Sequence, residues 1–415
     1  MRDLIGFELK KIVLRPVTLV ALIGFVLVFV FLTSIYNLTT DEFVNVYDPN
    51  MPDSNYNSIV SGTEAIALRK EWTNALAGTW TSESIKQLVG EYRSAMADPN
   101  NTTGQLNEDA MYWRSEMQRF EGWSEAEIET FKAKNPVYFY KPEFLYGESN
   151  KWLPAEFLIH EFAGVPNESL PNIEQIFPGI QEEATFGWHD GPLKTATTLI
   201  NRIGMFLAML IILALSPIFA EEKMLKTDSI QLSAKFGRSK LITAKLCASL
   251  VFSMAALLVF FGLDVLINGL IYGFEGWGLP VQMDTLTMNV PYSLSYGGYV
   301  GYTLLCVTVG ALCLTTLQVL ISALMKSPFS ALLTGAAVFF ISFFIHGMSP
   351  EHARKYSALM PTLLFQPDAY LNSLQEFDFK FATPSLPLMA GIVAVVSFVL
   401  FITLCRNKAK RQMVS

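Results

Sequence analysis

Six long apolar runs interrupt the polar sequence, and each is long enough to cross a membrane. A spanning helix needs about 20 mostly apolar residues. We therefore predict six transmembrane helices, at 16–36, 196–219, 243–271, 299–325, 328–347 and 387–405. The first run is too long for the apolar part of a secretory signal, and no small-residue cleavage site follows it, so it is predicted to remain as a span.

Composition supports this pattern. The chain is 51% hydrophobic and 16% charged, with a mean hydropathy of +0.34, values typical of an integral membrane protein. The alternative, a soluble protein with six buried core helices, is difficult to reconcile with six runs of this length. The predicted fold class is an all-α polytopic membrane protein with six transmembrane helices and a mostly helical extracellular domain.

The distribution of lysine and arginine predicts the orientation. The segments that lie on the side of the termini carry a net charge of +10; they are 1–15, 220–245, Lys326 and 406–415. The opposite segments carry −17; they are 37–194, 272–298 and 348–386. Because short cytoplasmic loops are enriched in basic residues, we predict a multi-pass protein of the bacterial plasma membrane, with both termini cytoplasmic and 406–415 as a basic tail.

The segment 37–194 is predicted to form a separate extracellular domain ahead of the membrane domain 195–405. Apolar positions recur at helical spacing in 81–98, and Ser124 with Glu127 has the spacing of a capping box, so the domain is predicted to be mostly helical. The four cysteines all lie within or at the ends of spans, so no disulfide framework holds it together. Its net charge of −14 is interpreted as a solvated surface, with binding of cationic ligands as the alternative.

No catalytic or metal site is predicted in this domain. His160 and Glu161 begin the sequence HEFAG, but Gly164 stands where a zinc-binding helix would have its second histidine. The domain has no G-x-S-x-G motif and no cysteine nucleophile. We predict that the chain is not an enzyme, and no nucleic-acid partner is expected.

The polar bridge, residues 220–240, joins the second and third predicted spans with the sequence AEEKMLKTDSIQLSAKFGRSK. It is long beside typical helix connections of about 2–8 residues, and it contains intermittent apolar positions. These features favour a short helix along the membrane over a simple solvated loop. The next connection on the same side is minimal, with Ser327 placed to cap the following helix and Pro328 at its first position.

The bridge and its flanks, SPIFAEEKMLKTDSIQLSAKFGRSKLITAKL, resemble the corresponding stretch of ABC type-2 permeases, the membrane subunits of one class of ATP-driven exporters. The six-span layout, the basic segment 1–15 and the outer segment 348–386 resemble the family as well. In that family the bridge is the coupling helix, which docks into the ATPase. The resemblance implies a coupling role for Glu221, Glu222, Leu232, Phe236, Gly237 and Arg238, and it matches Lys245 by position.

The resemblance also implies an interfacial helix over 1–15, and the chain departs from the family pattern in two places. Many members carry Gly-Thr in the polar turn, whereas this chain has Lys226 and Thr227. The segment 37–194 is also much larger than the short first outer loop of the simplest members. The resemblance therefore covers the membrane part and does not extend to the extracellular domain.

The chain contains no G-x-x-x-x-G-K-[ST] motif, which a phosphate-binding loop requires. ATP and magnesium are therefore expected in a separate ATPase. The resemblance implies two copies of a cytoplasmic ABC ATPase and a second permease copy or paralogue, besides membrane lipid. The expected function is that of a permease subunit moving an amphipathic substrate (a peptide, a lipid-like molecule or a drug). The alternative is a membrane receptor or scaffold of a sensing complex whose extracellular domain binds a ligand.

Charged and polar residues within spans are costly and usually face protein or a water-filled cavity. Arg202 and Asp264 both lie about 10 Å inside the outer boundary at the helical rise per residue. We predict that they pair or share a cluster with Asn201 and Asn268; in the alternative, Arg202 reaches the headgroups and Asp264 faces a vestibule. Gln318 is a weaker candidate for the translocation surface.

Overall fold

The structure is a computed structural model that describes residues 1–46, 58–75, 77–80, 184–227, 240–281, 284, 287, 290, 292, 294–371, 377, 379 and 384–411. The chain divides into two compact units. The first comprises Met1–Thr33, Lys194–Asn268 and Val300–Ser415, and the second comprises Ser34–Leu193 and Gly269–Tyr299. The units are described one at a time.

The described chain is mainly helical. Its helices are α1 (Arg2–Val13), α2 (Pro16–Phe31), α3 (Thr63–Ala75), α4 (Asp190–Met224), α5 (Lys240–Tyr272), α6 (Tyr296–Leu324), α7 (Pro328–Met348), α8 (Glu351–Ser357), α9 (Asp368–Leu371) and α10 (Leu386–Arg411). A π-helical stretch, Leu32–Asp41, continues α2, and a 3-10 turn, Pro361–Phe365, precedes α9. The strands are β1 (Phe43–Val46), β2 (Ser58–Ser61), β3 (Gly78–Trp80) and β4 (Ala184–Phe186).

Within the described residues, six helices are long and apolar enough to cross a membrane: α2 with its continuation, α4, α5, α6, α7 and α10. This confirms the predicted class of a polytopic all-α membrane protein. The helix start at α7 is also confirmed, since Ser327 Oγ accepts a hydrogen bond from Ser330 N at 3.2 Å and Pro328 occupies the first helical position.

The helices of the first unit differ in burial. In α4 and α6, 67% of the most apolar stretch is buried, against 17% in α2 and α10. The two former helices therefore form the centre of the unit. The core around them contains Leu207, Ile211, Phe260, Val307 and Phe339.

The helix α4 is longer than its predicted span of 196–219 and is not regular throughout. A π-helical turn, Leu199–Ile203, separates Asp190–Thr198 from the α-helical stretch Gly204–Leu215. A second α-helical stretch, Pro217–Met224, follows. As a result, the last turn of α4 carries the first residues of the polar bridge.

The described part of the second unit contains two small antiparallel sheets that were not predicted. In one, β1 pairs with β2, and in the other β3 pairs with β4. Each strand has only three or four residues, too few for alternation to be recognised in the sequence. The predicted helices between residues 81 and 183, with His160 and Glu161, lie outside the described residues.

Buried polar contacts hold the described part of the second unit together. The buried Glu42 accepts hydrogen bonds from Arg69 and, at 2.9 Å, from the hydroxyl of Tyr272. Arg69 also pairs with Asp190 at 2.9 Å. Trp188 Nε1 donates to the carbonyl oxygen of Tyr272 at 2.6 Å. These contacts join residues distant in sequence in one network.

Candidate functional site

The last turn of α4 brings two adjacent carboxylates to the start of the polar bridge. Alanine, glutamate, lysine and methionine are good helix formers, so the helix continues from Pro217 through Glu221 and Glu222 to Met224. The two carboxylates point to different partners.

Glu222 is buried, with 6% of its surface exposed. Its Oε1 lies 2.9 Å from Lys11 Nζ of α1, and its Oε2 pairs with Lys245 Nζ of α5. Lys245 is fully buried and also donates to the carbonyl oxygen of Ile218 at 2.9 Å. One carboxylate thus joins three helices, and the low polarity of the surroundings strengthens its ion pairs.

Glu221 forms a second, more exposed link to the N-terminal region. Its Oε2 lies 2.5 Å from an Nη atom of Arg15, which immediately precedes α2. A third of the Glu221 side chain is accessible to solvent. Because exposed ion pairs contribute only about 0–1 kcal/mol, this pair is expected to contribute less than the one at Glu222.

A further carboxylate, Glu8 of α1, is buried close to these charges. Burial raises the pKa of Glu8 above its ordinary value, while the positive charges of Lys245 and Lys11 oppose that rise. Glu8 and Glu222 together carry as many charges as the two lysines that face them. The cluster is therefore electrically balanced when all four groups are ionised.

Lys223 links the same turn to α6. Its Nζ donates to the carbonyl oxygen of Ala323 and lies 3.4 Å from that of Met325. These carbonyls end α6, where a cation interacts favourably with the helix dipole. We call Lys11, Arg15, Glu221, Glu222, Lys223 and Lys245 the junction, since together they connect α1, α4, α5 and α6.

The end of α4 is a Schellman motif. The amide of Thr227 donates to the carbonyl of Glu222 at 2.9 Å, and that of Lys226 donates to the carbonyl of Lys223 at 3.1 Å. Lys226 has φ of 56°, the left-handed conformation that favours glycine. This is the position at which the ABC type-2 permeases described above often carry glycine, and a lysine there costs about 1–2 kcal/mol.

The predicted ion pair between Arg202 and Asp264 does not form. Arg202 donates to the carbonyl oxygen of Leu32 at 2.8 Å, and the two charges interact only at longer range. Two residues at equal depth in the membrane need not point toward each other. Arg202 also lies in the π-helical turn, which changes the direction in which the side chains around it point. Asp264 instead accepts a hydrogen bond from Asn268 at 2.7 Å, whereas Asn201 is exposed.

Gln318 does not line a surface of the described chain. It is fully buried, and its Nε2 donates to Ser216 Oγ of α4 at 2.9 Å and to the carbonyl oxygen of Ala331 of α7 at 3.2 Å. Its Oε1 lies against Gly335, where a Cβ atom would collide with it. Gln318 therefore connects three helices.

The comparison with known families decides the class of protein. The family described as "ABC-2 family transporter protein" matches residues 4–405, nearly the whole chain. The chain belongs to the ABC-2 transporter family. No curated protein and no solved structure matches it.

For this ABC-2 family permease, the structure adds contacts that the sequence analysis missed. Lys11 and Arg15 were counted only as basic residues near the membrane, and Lys245 only as a positional match. The available signal was the basic character at the start of the first and third spans. Four of the predicted coupling residues, Leu232, Phe236, Gly237 and Arg238, lie outside the described residues.

The junction of this ABC-2 family permease is suited to a mechanical role. Its carboxylates are engaged by cations from neighbouring helices, so Glu222 in particular is enclosed by its own chain. The expected contact of Glu221 and Glu222 with an ATPase stays a prediction. What the geometry provides is an attachment of the first residues of the bridge, Glu222 and Lys223, to α1, α5 and α6.

Proposed function

We propose that the chain is the permease subunit of an ABC exporter that moves an amphipathic substrate across the bacterial plasma membrane. In this proposal two permease chains, identical or paralogous, work with two cytoplasmic ATPase subunits, which bind ATP and magnesium. Both termini and the polar bridge face the cytoplasm. The family match and the absence of a phosphate-binding loop from the sequence support this assignment.

The observation that carries the proposal is the burial of Glu222 between Lys11 and Lys245. A segment that receives motion from a partner must be attached to the helices that it moves. Breaking a buried ion pair by removing one partner costs about 3–5 kcal/mol, so this attachment resists displacement. The bridge is therefore able to pull α1 and α5 with it.

The membrane part of the chain supports the proposed substrate class. Among the described residues of the spans, the exposed surface consists largely of aliphatic and aromatic side chains, such as Leu258, Phe344 and Leu388. A molecule with an apolar part can contact such a surface without losing hydration of charged groups. Peptides, lipid-like molecules and drugs of amphipathic character fit this requirement.

The test is to express the chain with its neighbouring genes and purify it in nanodiscs. The wild-type chain is expected to co-purify with an ATPase whose hydrolysis rate depends on the permease. The double change Glu221→Lys/Glu222→Lys is expected to abolish that dependence, because it places positive charge against Lys11, Arg15 and Lys245.

A matched control is the double change Glu64→Lys/Glu71→Lys on α3, where both glutamates are exposed. It alters the net charge equally and should leave hydrolysis unchanged. The milder Lys11→Gln change, with size-exclusion profiles for all variants, separates uncoupling from misfolding. A wild-type chain that purifies with no nucleotide-hydrolysing partner would contradict the proposal and favour the receptor or scaffold alternative.

A further inference from the structure

The helix α4 is interrupted immediately before the junction. Its α-helical stretch Gly204–Leu215 ends at Ser216, and a new stretch, Pro217–Met224, begins at the next residue. Proline has no amide hydrogen and cannot donate to the carbonyl of the residue four positions earlier. The interruption therefore separates the central part of α4 from the turn that carries Glu221 and Glu222.

A hydroxyl group from another helix forms hydrogen bonds with the α4 backbone at the interruption. Ser322 of α6 accepts hydrogen bonds from the amides of Phe219 at 3.0 Å and Ala220 at 3.2 Å. It donates to the carbonyl oxygen of Ser216 at 2.7 Å. A serine hydroxyl has one hydrogen to donate and two lone pairs to accept, so this fully buried side chain uses its complete capacity on the α4 backbone.

Gln318, one helical turn before Ser322, also forms a hydrogen bond with Ser216 of α4. Its Nε2 donates to Ser216 Oγ at 2.9 Å, and Ser216 Oγ in turn donates to the carbonyl oxygen of Ile212 at 2.5 Å. Two side chains of α6 thus converge on Ser216. Backbone groups at the interruption remain hydrogen-bonded although the regular pattern of the helix is broken there.

We propose that Ser322 is a positioning residue that forms the pivot of a hinge in α4. Because its hydroxyl can rotate and exchange partners, Pro217–Met224 can tilt relative to Gly204–Leu215 without leaving buried amides unpaired. The inference rests on the proposed function, since the tilting segment is the one that would receive motion from the ATPase. A permanent kink without motion is the competing explanation, because an inserted side chain can also fix a bend.

The two explanations differ in how α4 responds to two opposite changes. Hydrogen–deuterium exchange is measured by mass spectrometry on peptides covering 216–227 of the full chain alone in nanodiscs. Ser322→Ala removes the partner of the Phe219 and Ala220 amides, so their exchange is expected to become about tenfold faster, the equivalent of one hydrogen bond. Pro217→Ala supplies the missing amide and should make exchange in Pro217–Met224 slower.

Opposite shifts in the same peptides support the hinge. Faster exchange in both variants would mean that each change only disturbs a fixed kink, and an unchanged rate in Ser322→Ala would mean that its hydroxyl does not hold the segment; either result overturns the proposal. Ser322→Thr, which retains the hydroxyl, should restore the wild-type rate. Ser342→Ala is the control, because the Ser342 hydroxyl bonds within its own helix, to the carbonyl of Val338 at 2.9 Å.

A second measurement connects the hinge to transport. In the complex with the co-purified ATPase, both Ser322→Ala and Pro217→Ala should lower the permease-dependent hydrolysis rate without loss of the bound ATPase. Wild-type hydrolysis in both variants would overturn the positioning role. If no ATPase accompanies even the wild-type chain, the proposed function fails, whereas the exchange experiment still decides whether the hinge exists.

Discussion

Two buried carboxylates in the first unit, Glu222 and Asp264, have contrasting surroundings. Glu222 is paired with two lysines, one from α1 and one from α5. Asp264 is fully buried; its Oδ1 atom accepts a hydrogen bond from the side-chain amide of Asn268, and its Oδ2 atom has no hydrogen-bond partner among the described residues. Both residues stand in helices of the same membrane protein, so the difference lies in their partners.

The contrast shows that burial alone does not reveal whether an acidic residue raises or lowers the stability of the fold. A buried charge with well-placed opposite charges connects the elements that supply them, whereas a buried polar atom without a partner lowers stability. Glu222 is therefore expected to hold α1, α4 and α5 together. Asp264 is expected to reduce the stability of the chain.

The largest effect is expected from Glu222→Gln. The change leaves Lys245 buried without its ionic partner, and such a loss costs about 3–5 kcal/mol. Thermal unfolding in nanodiscs should show a clearly lower Tm. Glu221→Gln, in the same turn but at a more exposed ion pair, is the matched control and should cost only about 0–1 kcal/mol. Equal losses in the two variants would remove the distinction between the two glutamates.

Asp264→Asn is expected to act in the opposite direction. It removes the ionisable group from a fully buried position while preserving the shape of the side chain, so the folded chain no longer has to bury a charge or take up a proton to neutralise it. The free energy of unfolding should rise by about 1–3 kcal/mol. Thermal or denaturant unfolding in the same nanodiscs measures the change. A destabilised variant would show that Asp264 is held by a favourable partner and that the contrast with Glu222 is wrong.

The smallest effect concerns Glu8, the other carboxylate beside the junction lysines. Burial raises its pKa in the folded chain above the ordinary value of 4.5. The folded state therefore binds the proton more tightly than the unfolded state, so the contribution of Glu8 to stability is present below pH 4.5 and is lost as pH rises through the raised pKa.

Comparison of wild type with Glu8→Gln isolates this contribution, because the other titrating groups are the same in both chains. The difference in Tm, variant minus wild type, should increase between pH 4.5 and neutrality. A difference that stays constant over this range would show that Glu8 titrates alike in the folded and unfolded chains.

The sequence was sufficient to predict the fold class because its main signal is local. The apolar run 328–347 is by itself enough to predict a transmembrane helix. The dipeptide Ser327–Pro328 is by itself enough to predict where that helix starts. The end of α4 was less predictable. The span was expected to stop at 219, where charged residues begin, but glutamate and lysine are also good helix formers, and the helix continues to Met224.

The junction could be predicted only in part, because its contacts are distant in sequence. Glu222 meets Lys11 across 211 positions, and Ser216 meets Ser322 across 106. The acidic pair was recognised through a resemblance, which indicated a contact with a partner protein and not its burial. Ser322 has no distinguishing sequence signal, since a serine in an apolar helix most often bonds to its own backbone.

The most direct test of the account measures whether motion of the bridge reaches α1. In the ATPase complex, hydrogen exchange of peptides from 220–240 and from α1 is compared with and without ATP, in wild type, Lys11→Gln and the control Lys10→Gln, since Lys10 is exposed. The account predicts that ATP alters exchange in both regions of the wild type and the control, but only in 220–240 of Lys11→Gln. An undiminished ATP response of α1 in Lys11→Gln would contradict transmission through the junction.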